Sequence, residues 1–189
     1  MQPLENYMRT RRSAVSVTLE EPGPDSDEIR RIVTMATRVP DHGKLVPWRI
    51  VLWSMSQRET MHRQLLTLLD SLPDIDDKPK KRASTDKLLH APCVMAVIST
   101  AAEHPKIPVW EQTLSAGAVC MNALIGSNAC GYEAQWLTAW YVYADEARDI
   151  LELQDGEKIA GIIHIGSTNT PKTERPRPQI EDILTMKDD

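Results

Sequence analysis

The sequence predicts an α+β domain. Three observations carry that prediction. Helix-like and strand-like segments are interspersed without strict βαβ alternation. The apolar or small-residue segment from Trp110 to Cys130 is long enough only for a helix. Four short runs read as strands: "WRIVLWS" (48–54), "PCVMAVIST" (92–100), "EAQWLT" (133–138) and "KIAGIIHIGS" (158–167).

The other elements follow in chain order. Residues 2–11 carry Leu4, Tyr7 and Met8 at helical spacing and run into Arg11 and Arg12. Asp25 followed by Glu28 reads as a helix cap with an acidic first turn. Ile29, Ile32, Val33 and Ala36 continue that helix, and Val39 before Pro40 ends it. Residues 57–71 form a helix with Met61, Leu65, Leu68, Leu69 and Leu72 to one side. "DIDDKPKKR" (74–82) reads as a charged, solvated linker, and "HPKIP" (104–108) as a loop. Gly131 is placed to stop the long helix. A helix without a polar face lies in a core or in a subunit interface. A further helix is expected at 145–153, and the tail after Ser167, with three prolines, should be extended.

Composition bounds the function. The 189 residues suffice for one domain, with 41% hydrophobic and 26% charged residues. A formal charge of −5 argues against a sequence-independent grip on nucleic acid. No apolar run follows an N-terminal basic cluster and none nears membrane-spanning length, so a cytoplasmic protein without membrane attachment is expected. Cys93, Cys120 and Cys130 form no C-x-x-C pair and read as reduced core thiols. The histidines are scattered, with no metal-ligand spacing, so no metal is expected. Phosphate loop, dinucleotide fingerprint and serine elbow motifs are all missing. His164, inside an apolar strand, reads as a hydrogen-bonded core residue.

Two stretches stand out. "RVPDHGKLVPW" (38–48) places Arg38, Asp41, His42 and Lys44 around two prolines. A plain connection needs turn formers, not these charges, and rigidly held loops are where binding groups lie. Asp41 and His42 are sequence neighbours, whose side chains usually point apart, so an acid–base pair there is disfavoured. "RRS" (11–13) admits two readings: cations at a helix C-terminus, or guanidinium forks and a hydroxyl that clamp a phosphate. "GSNACG" (126–131) sits at a helix end, where capping explains Gly131. These are ligand-holding parts without an obvious reactive side chain, which suggests chemistry that belongs to a bound cofactor.

"RRS", then "R-x-P-D-H-x-x-x-x-P-W-R" (38–49), then "P-x-W-E-Q-x-x-S-A-G" (108–117) opening a long helix, together resemble the FMN-dependent nitroreductase family, in its minimal-length bacterial members. A glycine ending that helix, a "W-x-T" strand and a final strand ending "I-G" continue the resemblance over roughly residues 4 to 167. The resemblance implies a nitroreductase-like fold: a central mixed, mostly antiparallel sheet flanked by helices, in an intertwined homodimer. It implies a single domain over 1–189, with the tail 168–189 packed on the partner subunit.

Its functional implications go residue by residue. Arg11, Arg12 and Ser13 match the segment that holds FMN phosphate and ribityl chain. Arg38 and His42 match residues that reach the flavin from the other subunit. Trp136, Leu137 and Thr138 match a second flavin-contacting segment, and Arg177 is expected to add a cation at the phosphate end. Gly126, Ser127, Asn128, Ala129, Cys130 and Gly131 match a region that meets the nicotinamide nucleotide. No side chain is expected to be catalytic in itself. The implied activity is ping-pong transfer from NADPH or NADH through FMN to a small nitro or quinone acceptor. A flavin-sensing protein, or a same-fold enzyme of other redox chemistry, is the alternative. Three departures from the family pattern bear on flavin potential and substrate choice: Val15 and Leu137 where basic residues are common, and Lys44-Leu45-Val46 where "N-x-Q" precedes "P-W".

Overall fold

Strand β2 (Cys93–Ser99) is buried at every position, and its alternation sorts the core in two. Val94, Ala96 and Ile98 face one cluster; Cys93, Met95 and Val97 face the other. A period of two with both faces apolar is what a strand covered on both sides requires. These relations come from a computed structural model that describes residues 3–73 and 76–187.

β1 (Trp48–Leu52), β3 (Glu133–Leu137) and β4 (Lys158–Gly166) complete a four-stranded sheet in the order β1-β2-β4-β3. Every pairing among the described residues is antiparallel, so the mixed character expected of the sheet is not seen in them. β4 repeats the alternation of β2: Ile162 joins one cluster, Ile163 and Ile165 the other. All three are at most 1% exposed, and each such burial contributes about 1.5–3 kcal/mol.

Over the Ile162 face lie α3 (Met55–Ser71), through Met61 and Leu65, and the segment carrying Tyr141, Ala147 and Leu151. Over the Ile163 face lie α2 (Ser26–Ala36) and α5 (Val109–Ala129). α2 carries the expected reciprocal cap: Asp25 accepts from Glu28 N, and Glu28 accepts from Asp25 N. A Cβ on Gly126 would stand 3.3 Å from the Ile32 carbonyl, so that glycine lets α5 approach α2 closely. Cys93 and Cys120 lie buried on this face.

Two sequence expectations are corrected. Asp74 and Ile75 of the supposed linker lie outside the described residues, but from Lys78 the chain is a helix, α4 (Lys78–Asp86). Asp77 caps it at Lys80 N, and Pro79 falls in the first turn, where a missing N–H costs nothing. The charges of "DDKPKKR" hid a helix start. The expected helix at 145–153 is instead a 3-10 turn (Asp145–Ala147) followed by turns. Arg148 donates to the carbonyls of Gln154 and Glu157, and Glu152 has φ 54°, which breaks the helical path.

Arg58 of α3 went unnoticed in the sequence. It is 2% exposed, and its guanidinium donates to the carbonyls of Leu88, Ala91 and Pro92 at 2.7–3.0 Å. Carbonyls thus stand where a carboxylate would be expected for a buried cation.

His164 lies in the core as expected, but its Nδ1 has no hydrogen-bond partner among the described residues. Burial, followed by the positive charges of Arg58, Lys87 and His90, pushes its pKa down to about 3. The folded state therefore holds His164 neutral, while the unfolded chain takes a proton below about pH 6.5. That stability is fully present above pH 6.5 and is lost as pH falls toward 3, at up to about 1.4 kcal/mol per pH unit. His164→Leu should remove this slope. Urea midpoints of both proteins at pH 7 and 5 check it; parallel losses on acidification would show that other groups set the slope.

The chain divides into two units, Ser13–Thr170 and a terminal unit that joins residues 3–12 with 171–187. The terminal unit holds α1 (Pro3–Thr10) and an extended tail with one helical turn, α6 (Ile180–Ile183). Arg12 binds its two segments, donating through Nε and Nη2 to the Thr173 carbonyl at 3.0 and 2.8 Å.

Candidate functional site

Loop 38–48 is fixed from within and from without. Within, the Asp41 carboxylate accepts from Leu45 N at 3.1 Å and Val46 N at 2.9 Å. Without, α5 holds it at three levels. Asn122 donates to the Arg38 carbonyl at 3.0 Å. Ser115 donates to the Pro40 carbonyl at 2.8 Å and accepts from the Trp48 indole at 3.1 Å. Glu111 meets His42 Nδ1 at 2.8 Å. Asp41 and Ser115 thus act as clamps on this loop.

The clamped backbone is strained. Gly43, Lys44 and Val46 have φ of 71°, 56° and 49°. The left-handed region costs a non-glycine residue about 1–3 kcal/mol, and a β-branched one such as Val46 is a true outlier. A Cβ on Gly43 would also stand 2.6 Å from Ile107. Strain of this kind persists where a surrounding structure over-determines the path, which is common at ligand sites. The loop presents exposed cations outward: the Arg38 and Lys44 side chains have no hydrogen-bond or ion-pair partner among the described residues.

The two arginines of "RRS" differ. Arg12 is committed to Thr173 O and also lies 3.4 Å from Glu174, which Arg177 approaches at 3.8 Å. These cations, with the Arg175 amide first in effect, hold the Glu174 carboxyl below the usual range. Arg11 lies half-buried, and its guanidinium has no partner among the described residues. Ser13, in the larger unit, is exposed. Trp136 lies across β4: its indole donates to the Ala160 carbonyl at 3.2 Å, and any side chain at Gly161 would overlap it. Leu137 is half-buried and Thr138 exposed; Val15 is 55% exposed.

The stretch 126–131 ends α5. Gly126 and Ser127 are buried, the Ser127 hydroxyl donates to Ala123 O, and Asn128 donates to Tyr132 O. Only Ala129 and Gly131 are exposed. Gly131 has φ 90°, which satisfies the helix end as expected. Among the described residues no group of His, Cys, Asp and Glu could hold a metal ion, and no helix is long and apolar enough to cross a membrane.

An uncommitted guanidinium suits a phosphate, and a rigid loop with unpaired cations suits the electron-rich edge of a flat ring system. Comparison with known proteins gives that arrangement a context. The sequence profile of the Nitroreductase family matches residues 8–167. The chain belongs to the nitroreductase family. A "Putative NAD(P)H nitroreductase" of Haemophilus influenzae is 28% identical over 170 residues, covering 89% of each chain. The nitroreductase fold appears in the structural likenesses as well. A nitroreductase-like protein from Bacillus cereus superposes with a TM-score of 0.82 at 20% identity, covering 98% of this chain and 96% of that one. A nitroreductase with bound FMN from Bacteroides fragilis gives 0.76 at 14% identity, with both chains fully covered.

Proposed function

We propose that this nitroreductase-family chain binds FMN and transfers reducing equivalents from NADPH or NADH through it to small nitro or quinone acceptors, in alternating half-reactions. The observation that carries the reading is the Arg11 guanidinium, without a partner among the described residues, beside a committed Arg12, in a chain whose clamped loop turns outward an Arg38 that is likewise unpaired among them. In this reading Arg11 holds the phosphate, and Arg12 and Arg177 add charge at that end. Arg38 and His42 approach the flavin of a second copy, and the segment Trp136, Leu137 and Thr138 borders a ring. When bound, FMN supplies the hydride chemistry; the protein binds, orients and excludes water. Of the stretch 126–131, exposed Ala129 and Gly131 are the accessible part for a nicotinamide nucleotide.

A homodimer is part of the proposal. The outward face of α5 carries Trp110 at 69% and Leu114 at 54% exposure, with Met121 and Ile125 half-buried further along. In the tail, Ile180, Ile183, Leu184 and Met186 are each more than half exposed. Apolar surface on this scale is covered in most soluble proteins, and a second copy is the available cover.

Purified protein should be yellow, with FMN near one per chain, dimeric on size-exclusion, and bleached by NADPH or NADH without oxygen. Colourless protein that takes up no added FMN would refute the reading.

A further inference from the structure

The His42–Glu111 contact joins a loop to a helix 69 residues later, and it fixes which atom of His42 is chemically available. A carboxylate only accepts, so the ring nitrogen facing it must carry hydrogen in either charge state of the imidazole. Nδ1 is that nitrogen. The proton that His42 can give or take is therefore on Nε2. The ring is 62% exposed, so this proton exchanges with solvent. Glu111 sits in the first turn of α5, where a negative charge is favoured. Asp41 cannot compete for the ring, being committed to Leu45 N and Val46 N. The clamps on Pro40 and Arg38 hold the loop to the same helix, so Glu111 and His42 keep their geometry together.

We infer that His42 and Glu111 form an acid–base dyad, with His42 as a catalytic residue and Glu111 as its positioning residue. This rests on the redox reading above, in which the reductant is NADPH or NADH acting through FMN. A quinone that gains a hydride gains two electrons and one negative charge, and one proton completes the hydroquinone. The N–H bond at Nε2 breaks, an O–H bond forms on the acceptor, and the ring is left neutral with Nδ1–H still directed at Glu111. Solvent then returns a proton to Nε2. A one-electron acceptor such as ferricyanide needs no proton and bypasses the dyad.

Two measurements test the dyad, and the first does not need flavin. Nitrogen-15 NMR of His42 at high pH should show the Nδ1–H tautomer in the native protein and predominantly Nε2–H in Glu111→Ala. The same tautomer in both would overturn the dyad. In rapid-mixing experiments on FMN-loaded protein, Glu111→Ala and His42→Gln should slow reoxidation by benzoquinone about 100-fold, within the usual range for general acid catalysis. In Glu111→Ala, reoxidation by ferricyanide should change less than about twofold, far below that range. Equal slowing with both acceptors, or with neither, would overturn it too. Native protein that takes no FMN would instead sink the redox reading, and the nitrogen spectra would still decide the dyad.

Discussion

Arg49→Ala is expected to cost about 3–5 kcal/mol of folding stability, the range for breaking one side of a buried ion pair. Arg49, on β1, meets Glu157 through two parallel bonds of 2.7 Å, from Nε and Nη2. It also donates to the Glu152 carbonyl at 3.0 Å. The partners are unequally hydrated: the Arg49 side chain is 34% exposed and that of Glu157 only 6%. Removing the arginine leaves a buried carboxylate whose remaining hydrogen bond is from Gln154 N. Removing Glu157 leaves a cation that water can reach, so Glu157→Ala should fall at the lower end of the range.

The pH dependence separates the two variants. In the native protein the bonds from Arg49, and then that from Gln154 N, hold the Glu157 pKa below 4.5. That stability is present above the unfolded-state value and is lost as pH falls through the depressed folded one. In Arg49→Ala the buried carboxylate loses its partner, so acid should narrow the variant's deficit relative to the native protein rather than widen it. Urea midpoints at pH 7 and 3.5, each compared with the native protein, read both effects. Equal losses for the two single variants at pH 7 would refute the asymmetry.

Arg11→Ala is expected to weaken FMN binding by about 2–5 kcal/mol, the cost of truncating one partner of a desolvated charge pair. In Kd this is about thirtyfold to a few thousandfold. The fold should be little changed, because the Arg11 side chain holds no other group among the described residues. Arg12→Ala should behave differently: it removes both bonds to Thr173 O and so loosens the terminal unit, whatever its effect on FMN. Fluorescence titration of the apoproteins with FMN, beside thermal melts, distinguishes the two. Unaltered FMN affinity in Arg11→Ala would return "RRS" to a simple helix end.

What could be read along the chain was local. The alternation of "PCVMAVIST" and "KIAGIIHIGS" marks strands covered on both faces, and the Asp25–Glu28 spacing marks a helix start, because both signals lie within a few residues. Loop 38–48 stood out as a candidate site because its charges exceed what a turn needs. The partners of those charges were not. Glu111 lies 69 residues beyond His42, and Glu157 lies 108 beyond Arg49. Nothing local distinguishes such carboxylates from a solvated face. The helix α4 was missed for a related reason: a run of charges outweighed the cap formed by Asp77 and the first-turn proline.

The two thiols buried beneath α2 and α5 give this protein an internal clock. Burial pushes Cys93 up to about 11 and Cys120 up to about 12, so at pH 8 hardly any thiolate exists at either. An alkylating reagent can then reach them only when the core opens. Where reclosing outpaces alkylation, the labelling rate is the intrinsic rate multiplied by the fraction of molecules open at that instant. Cys120 lies on α5 and Cys93 on β2. Both face the layer between α5 and the sheet, so matched labelling rates would mean that a single opening, the lifting of the long helix, exposes the two together.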